Sequence, residues 1–164
     1  MNLIIIIIII LILIYISCYF IFPPSTQILQ TTVNDFNFPI LYTRQPIVID
    51  DCIHEKEELI YSWFNYNFIK NLSDDMDNNQ ETEWVHNNYK YLFINANNDT
   101  EIIIHKASIY SKIPDENDRI IAIKLKKGQS LIVPYKWKYF INKKDEVNLW
   151  GMHDLITFFV SFVF

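Results

Sequence analysis

The four histidines are the residues best suited to catalysis or metal binding, because imidazole is the usual side chain for acid–base catalysis and metal coordination near neutral pH. His153 is followed by Asp154, a carboxylate that could orient an imidazole. However, adjacent residues on a strand point to opposite faces, so this pair cannot easily act together. His105 ends an isoleucine-rich stretch and is most simply a residue at the rim of a sheet. No catalytic pair is predicted from these positions.

Two acidic segments have the residue types of a metal site but not its spacing. His54 stands beside three glutamates at the start of a predicted helix, where the helix dipole favours carboxylates without any metal. Residues 75–79 match the first three ligand positions of a calcium-binding loop. Gln80 then stands where a glycine must turn the chain, and His86 where a bidentate glutamate belongs. Since the chain also lacks a glycine-rich phosphate loop, a Ser-His-Asp set and paired cysteines, spacing predicts no catalytic or metal-binding residue.

The pattern of apolar residues predicts one helix and many strands. In residues 55–70 apolar side chains recur at intervals of three and four, which is helical spacing. The polar tracts at residues 95–99 and 126–129 supply turn residues and predict two hairpins. Many short strands with one flanking helix predict a mainly β, α+β domain, an antiparallel sandwich of jelly-roll type. The predicted strands are residues 47–49, 89–95, 100–105, 119–125, 130–133, 139–141, 147–150 and 155–164.

The N-terminal part predicts a membrane anchor. Residues 3–22 are built almost wholly from isoleucine and leucine, carry no charge, and are long enough to form a transmembrane helix. The run lacks the basic start and the small-residue cleavage site of a secretory signal, which predicts an uncleaved, single-pass anchor. The nearest basic residue, Arg44, is too distant to predict on which side of the membrane the domain lies. Residues 23–45 are polar and contain three prolines, which predicts a stalk or linker before a domain at residues 46–164.

The charged residues, cysteines and glycosylation patterns limit which partners and which covalent bonds are expected. All 14 Lys+Arg and 19 Asp+Glu follow the apolar run, so the net charge of −5 belongs to the domain and argues against a nucleic-acid partner. Cys18 lies in the apolar run and Cys52 stands alone in the domain, so no disulfide is expected within it. Asn71 and Asn98 match the glycosylation pattern and would be acceptors only in a lumenal domain.

One segment resembles a known protein family. Residues 128–139 read Gly-Gln-Ser-Leu-Ile-Val-Pro-Tyr-Lys-Trp-Lys-Tyr. Gly128, Leu131, Pro134 and Trp137 match the motif of the cupin-like and JmjC-like double-stranded β-helix proteins. The resemblance extends over residues 46–150 and implies a cupin-like β-sandwich. The residues that would then line a ligand-binding barrel mouth are Trp137, Tyr139 and His86. For the two aromatic residues, the alternative is packing in the core or at the rim of the barrel.

The resemblance also implies that the metal centre is degenerate. Active members hold iron with an upstream His-x-Asp or His-x-Glu and a downstream His, leaving positions open for oxygen and 2-oxoglutarate. Here Tyr139 stands at the downstream position, and the nearest upstream match, His86-Asn87-Asn88, has an amide in place of the carboxylate. We therefore expect no metal, no cofactor and no catalytic residue. The alternative is an Fe(II)/2-oxoglutarate-dependent oxygenase, a hydroxylase whose ligands lie elsewhere.

Together these features predict a membrane-anchored, non-catalytic domain with a binding or structural role. Its expected partners are the membrane and a protein of a membrane or virion complex. The chain is rich in isoleucine and asparagine and has only 2 glycines, a composition typical of an A+T-rich coding genome. With the single anchor and the degenerate enzyme fold, this composition suggests a protein of a large DNA virus.

Overall fold

Two β-sheets form most of the structure, a computed structural model that describes residues 3–20, 26–52, 56–73, 84–106, 119–142 and 146–160. The larger sheet has the strand order β1-β2-β8-β5-β10-β3, and the smaller has the order β4-β9-β6-β7. All neighbouring strands are antiparallel except β1 and β2, which are parallel. In chain order the elements are α1 (Leu3–Phe20), β1 (Leu29–Thr32), a 3₁₀ helix (Phe38–Thr43), β2 (Ile47–Asp50), α2 (Lys56–Trp63), β3 (Phe68–Asn71), β4 (Val85–His86), β5 (Tyr91–Ala96), β6 (Thr100–Lys106), β7 (Ile120–Leu125), β8 (Ser130–Pro134), β9 (Trp137–Ile141), β10 (Val147–His153) and α3 (Leu155–Val160).

The main core lies between the two sheets, which makes the fold a β-sandwich. Leu92 and Ile94 of β5 face inward from the larger sheet, and Ile102 and Ile104 of β6 face inward from the smaller one. All four side chains are fully buried. The predicted mainly β, α+β sandwich is therefore confirmed at the level of fold class.

A second core covers the outer face of the larger sheet. Phe93 of β5 and Ile132 of β8 point to this face, where Ile60 and Phe64 of the α2 region pack on them. Because β5 and β8 are covered on both sides, every residue of β8 is buried and its sequence is apolar almost throughout. The predicted helix at residues 55–70 is shorter in the structure, since α2 ends at Trp63 and β3 follows it.

The two predicted hairpins are wrong, although their turn residues are correctly placed. The loops at residues 97–99 and 126–129 connect strands of different sheets, β5 to β6 and β7 to β8. Gly128 has the positive φ of 85° that its turn requires. The backbone N–H of Gly128 donates to the carbonyl of Ala96 at 2.9 Å, so the two loops hold each other at one end of the sandwich.

A stalk was expected at residues 23–45, and the described part of this segment, residues 26–45, contributes to the folded body. Its strand β1 pairs with β2, and Leu41 in the 3₁₀ helix is 4% exposed and belongs to the second core. The division of the chain into anchor, linker and domain stays a prediction.

At the other end of the chain, the strand predicted at residues 155–164 is wrong for its first six residues, which form helix α3. Residues 161–164 of that prediction lie outside the described residues.

Helix α1 has 18 residues and carries no charged side chain, and Ser17 is the one strongly polar residue of its described part. At a rise of 1.5 Å per residue it is about 27 Å long, against the roughly 30 Å of a bilayer's hydrocarbon core. Within the described residues, no helix meets the combined length and apolarity of a membrane span.

Candidate functional site

Strands β4 and β9 lie side by side and bring together the two pieces of sequence in which the family resemblance would place a metal. Val85 is opposite Tyr139, and His86 is opposite Lys138. Two residues that are directly opposite each other in an antiparallel pair point to the same face of the sheet. Tyr139 therefore shares a face with Val85, whereas His86 lies on the other face together with Lys138.

The inward face of β9 is part of the main core. Trp137 is 1% exposed and Tyr139 is 9% exposed, and both pack in the cluster between the sheets. Burial, with a smaller contribution from Tyr89, raises the pKa of the Tyr139 phenol to about 12. The structure thus places Trp137 and Tyr139 in the core and His86 on the opposite side of the sheet. A ligand contacting these three residues would have to reach both faces.

On the outward face, a row of nitrogen-bearing side chains crosses the smaller sheet. His86, Lys138 and His105 occupy opposed positions on β4, β9 and β6. Lys138 and His105 are fully buried, and the ring of Trp84 meets that of His105 edge to face at 4.7 Å between centroids. Burial lowers the pKa of His86, and Lys138, Lys136 and His105 lower it further, so this imidazole is neutral at physiological pH.

This row does not amount to a metal site. Among the described residues, no three His, Cys, Asp or Glu side chains lie close enough to hold an ion together. Asn88, at the carboxylate position of the family triplet, is exposed, and its side-chain oxygen accepts a 3.4 Å hydrogen bond from Lys136. The acidic candidates beside His54 and at residues 75–79 fall partly or wholly outside the described residues.

Asn87, the middle residue of the triplet, has a structural role that the sequence did not reveal. Its side chain is 1% exposed and donates two 2.8 Å hydrogen bonds, to the carbonyls of Val133 and Pro134. Its side-chain oxygen accepts from the backbone N–H of Tyr89 at 2.9 Å. The two donated bonds fasten the residue after β4 to the end of β8. The turn that follows β8 contains Lys136, which has a φ of 64°. The carbonyl partners of Asn87 are 46 and 47 positions away, so no spacing rule could have found them.

A second polar cluster joins α1 to the rest of the protein. Asp154 accepts hydrogen bonds from the Tyr15 hydroxyl and from the Lys90 ammonium group, the latter at 2.7 Å. Lys90 also lies 3.0 Å from the Tyr15 oxygen. Burial by itself would raise the pKa of Asp154, but the hydrogen bonds from Lys90, Tyr15 and Thr157 outweigh it and lower this pKa to about 2. We call these three residues, Tyr15, Lys90 and Asp154, the α1 junction.

Asp154 also begins helix α3. Its side chain accepts from the backbone N–H of Thr157 at 2.7 Å, and Thr157 Oγ1 accepts from the backbone N–H of Asp154 at 3.0 Å. This reciprocal pattern is that of a capping box, and the Asp-x-x-Thr spacing before an apolar run could have indicated a helix start. His153 does not pair with Asp154. Its ring packs on Tyr89 and Phe158, and burial lowers its pKa despite the opposing effect of Asp154.

The two predicted glycosylation sites lie on the surface. Asn71 is at the end of edge strand β3, and Asn98 is in the loop between β5 and β6; both are exposed. No protein-family model matches the chain, and no curated protein matches it.

Proposed function

We propose that this protein is a membrane-anchored, non-catalytic β-sandwich with a binding or structural role. The observation that carries the proposal is the surface of α1. Each of its residues 3–14 is an isoleucine or leucine, and each is between 37% and 73% exposed. An apolar helix that is exposed on all sides is unstable in water and is typical of a segment covered by lipid.

The strength of membrane attachment follows from these exposed side chains. Each isoleucine or leucine near the centre of a membrane helix favours insertion by roughly 0.3–0.6 kcal/mol, so twelve of them favour it by about 4–7 kcal/mol. The sequence continues the apolar run to residue 22, which is long enough for a single-pass anchor. We propose residues 3–22 as that anchor.

The non-catalytic part of the proposal is supported by the geometry around β9. The side chain at the downstream ligand position, Tyr139, is buried in the core, and His86 lies on the other face of the sheet. The pairing of β4 with β9 is the one observation that favours the alternative, an Fe(II)/2-oxoglutarate-dependent oxygenase. The same register separates the two ligand positions, so we favour a domain without iron or 2-oxoglutarate.

The finer fold assignment also belongs to the proposal. From β5 to β10 the chain passes repeatedly between the two sheets, as a jelly-roll or cupin-like domain does. We propose such a fold, with a protein partner in a membrane or virion complex of a large DNA virus and with no nucleic-acid partner.

Alkaline carbonate extraction of the full chain tests membrane anchoring. The wild-type chain should stay in the membrane pellet. Replacing both Ile8 and Ile9, which are 50% and 46% exposed, by lysine should move it to the supernatant. Two lysines disfavour insertion by about 6–8 kcal/mol relative to isoleucine, as much as the whole run contributes.

The matched control is Ile120→Lys, since Ile120 is 51% exposed on β7. This variant should stay in the pellet. Extraction of the wild-type chain into the supernatant would refute the proposal.

A further inference from the structure

The short helix α3 carries an apolar surface that the described part of the chain leaves uncovered. Leu155 and Phe159 are each 62% exposed, and Phe68 of the neighbouring strand β3 is 52% exposed. The ring of Phe158 joins them, with its centroid 5.2 Å from that of Phe68 and 5.9 Å from that of Phe159. We call Phe68, Leu155 and Phe159 the α3 face.

The α3 face lies next to the proposed anchor. Helix α1 contacts α3, and the α1 junction connects Tyr15 of α1 to Asp154, the residue that begins α3. Lipid that covers the exposed isoleucines and leucines of α1 therefore lies beside α3 as well. We infer that the α3 face is a second membrane-contact surface, immersed in the same leaflet that surrounds the domain end of α1.

The depth of this contact follows from the position of Tyr15. From Tyr15 to Phe20, where α1 ends, there are five residues, which is about 8 Å along the helix axis. If α1 leaves the hydrocarbon near its last residue, the α1 junction and the start of α3 lie about 8 Å below that boundary. Helices that lie at the membrane surface bury their apolar face by about 5–10 Å, so α3 would be immersed to an ordinary depth.

The polar groups at this depth form hydrogen bonds and an ion pair with one another, which is required if they are to lie within the membrane. The negative charge of Asp154 faces the positive charge of Lys90 at 2.7 Å, and the Tyr15 hydroxyl donates to the same carboxylate. The side chains of Lys90 and Asp154 are 18% and 23% exposed. A carboxylate and an ammonium group that pair with each other can be immersed at far lower cost than either charge alone.

This inference rests on the proposed anchor, and fluorescence quenching in lipid vesicles tests it separately. The full chain is reconstituted in phosphatidylcholine vesicles, with and without bromine on the acyl chains. In Phe159→Trp, and independently in Leu155→Trp, the added tryptophan should lose fluorescence in brominated vesicles beyond the loss seen for the wild-type chain. The control Ile120→Trp places tryptophan on exposed strand β7 and should show only the wild-type loss.

The outcomes separate the inference from the proposal on which it rests. If the chain resists carbonate extraction but neither α3 variant shows added quenching, the α3 face does not contact lipid and the inference is wrong. The inference is equally wrong if these variants are unquenched and a Phe159→Cys variant oxidises to a disulfide-linked dimer, because a second copy then covers the face. If the wild-type chain does not remain with the vesicles, both the anchor and the α3 contact are refuted.

Discussion

The most informative single substitution is Asn87→Ala, because it removes the side chain that holds the residue after β4 to the end of β8. Three hydrogen bonds are lost, two donated to Val133 and Pro134 at 2.8 Å and one accepted from Tyr89 at 2.9 Å. A typical hydrogen bond contributes about 0.5–1.5 kcal/mol, and the groups left behind are buried or partly buried. We therefore expect the free energy of unfolding to fall by about 3 kcal/mol.

Asn87→Asp refines this prediction. The aspartate keeps an oxygen that can accept from the Tyr89 N–H but loses the two donors, and it places a negative charge against two carbonyl oxygens. Its stability loss should be at least about 2 kcal/mol. Such a result would indicate that an amide is required at this position for structure.

Denaturant unfolding of the full chain in detergent micelles measures both effects, with tryptophan fluorescence as the signal. The matched control is Asn98→Ala, an exposed loop position where the change should stay within about 0.5 kcal/mol. If Asn87→Ala also stays within about 0.5 kcal/mol of the wild type, the structural role assigned to Asn87 is refuted.

Three further predictions concern other parts of the molecule. The pKa of Asp154 is lowered from 3.8 to about 2, which corresponds to at most about 2 kcal/mol of stability, and to about 1–2 kcal/mol after solvent screening. Asp154→Asn should lose this stability at neutral pH. The difference in unfolding free energy between this variant and the wild type should shrink as the pH falls from about 4 to about 2. A difference that does not depend on pH would contradict this prediction. Asn88→Asp combined with Tyr139→His should yield a chain without stoichiometric iron in metal analysis, because positions 86 and 139 lie on opposite faces of the sheet; stoichiometric iron would contradict that separation. Gly151→Ala would place a methyl group 2.4 Å from ring atoms of Tyr89 and should lower the unfolding free energy by about 1–3 kcal/mol; unchanged stability would show that the ring moves freely.

Much of the β-structure was predictable from local sequence. The strands expected at residues 100–105, 119–125 and 130–133 differ from β6, β7 and β8 by one residue at an end. Apolar runs bounded by turn residues are a local signal, and central strands that are buried on both faces give it most strongly. The prediction of α3 as a strand failed because the capping contacts of Asp154 and Thr157 favour a helix over the alternating apolar pattern.

The pairing of strands and the polar clusters could not be predicted in the same way. A turn sequence shows that the chain reverses, but it does not show whether the chain returns in the same sheet or crosses to the other, as it does at Gly128. The α1 junction joins residues that are 64 and 139 positions apart in the sequence, and the bonds of Asn87 to two carbonyls span 46 and 47 positions. These contacts exist only once the sheets are assembled, so neither residue spacing nor composition indicates them.

Hydrogen exchange of the full chain in lipid nanodiscs tests the central claim of membrane anchoring most directly. Helix α2, which has exposed residues on its outer side, serves as the internal reference for a helix in contact with water. If α1 lies in the hydrocarbon, its amides beyond the first turn should exchange far more slowly than those of α2, because water does not reach them. Exchange of α1 as fast as that of α2 would contradict the membrane-anchored account.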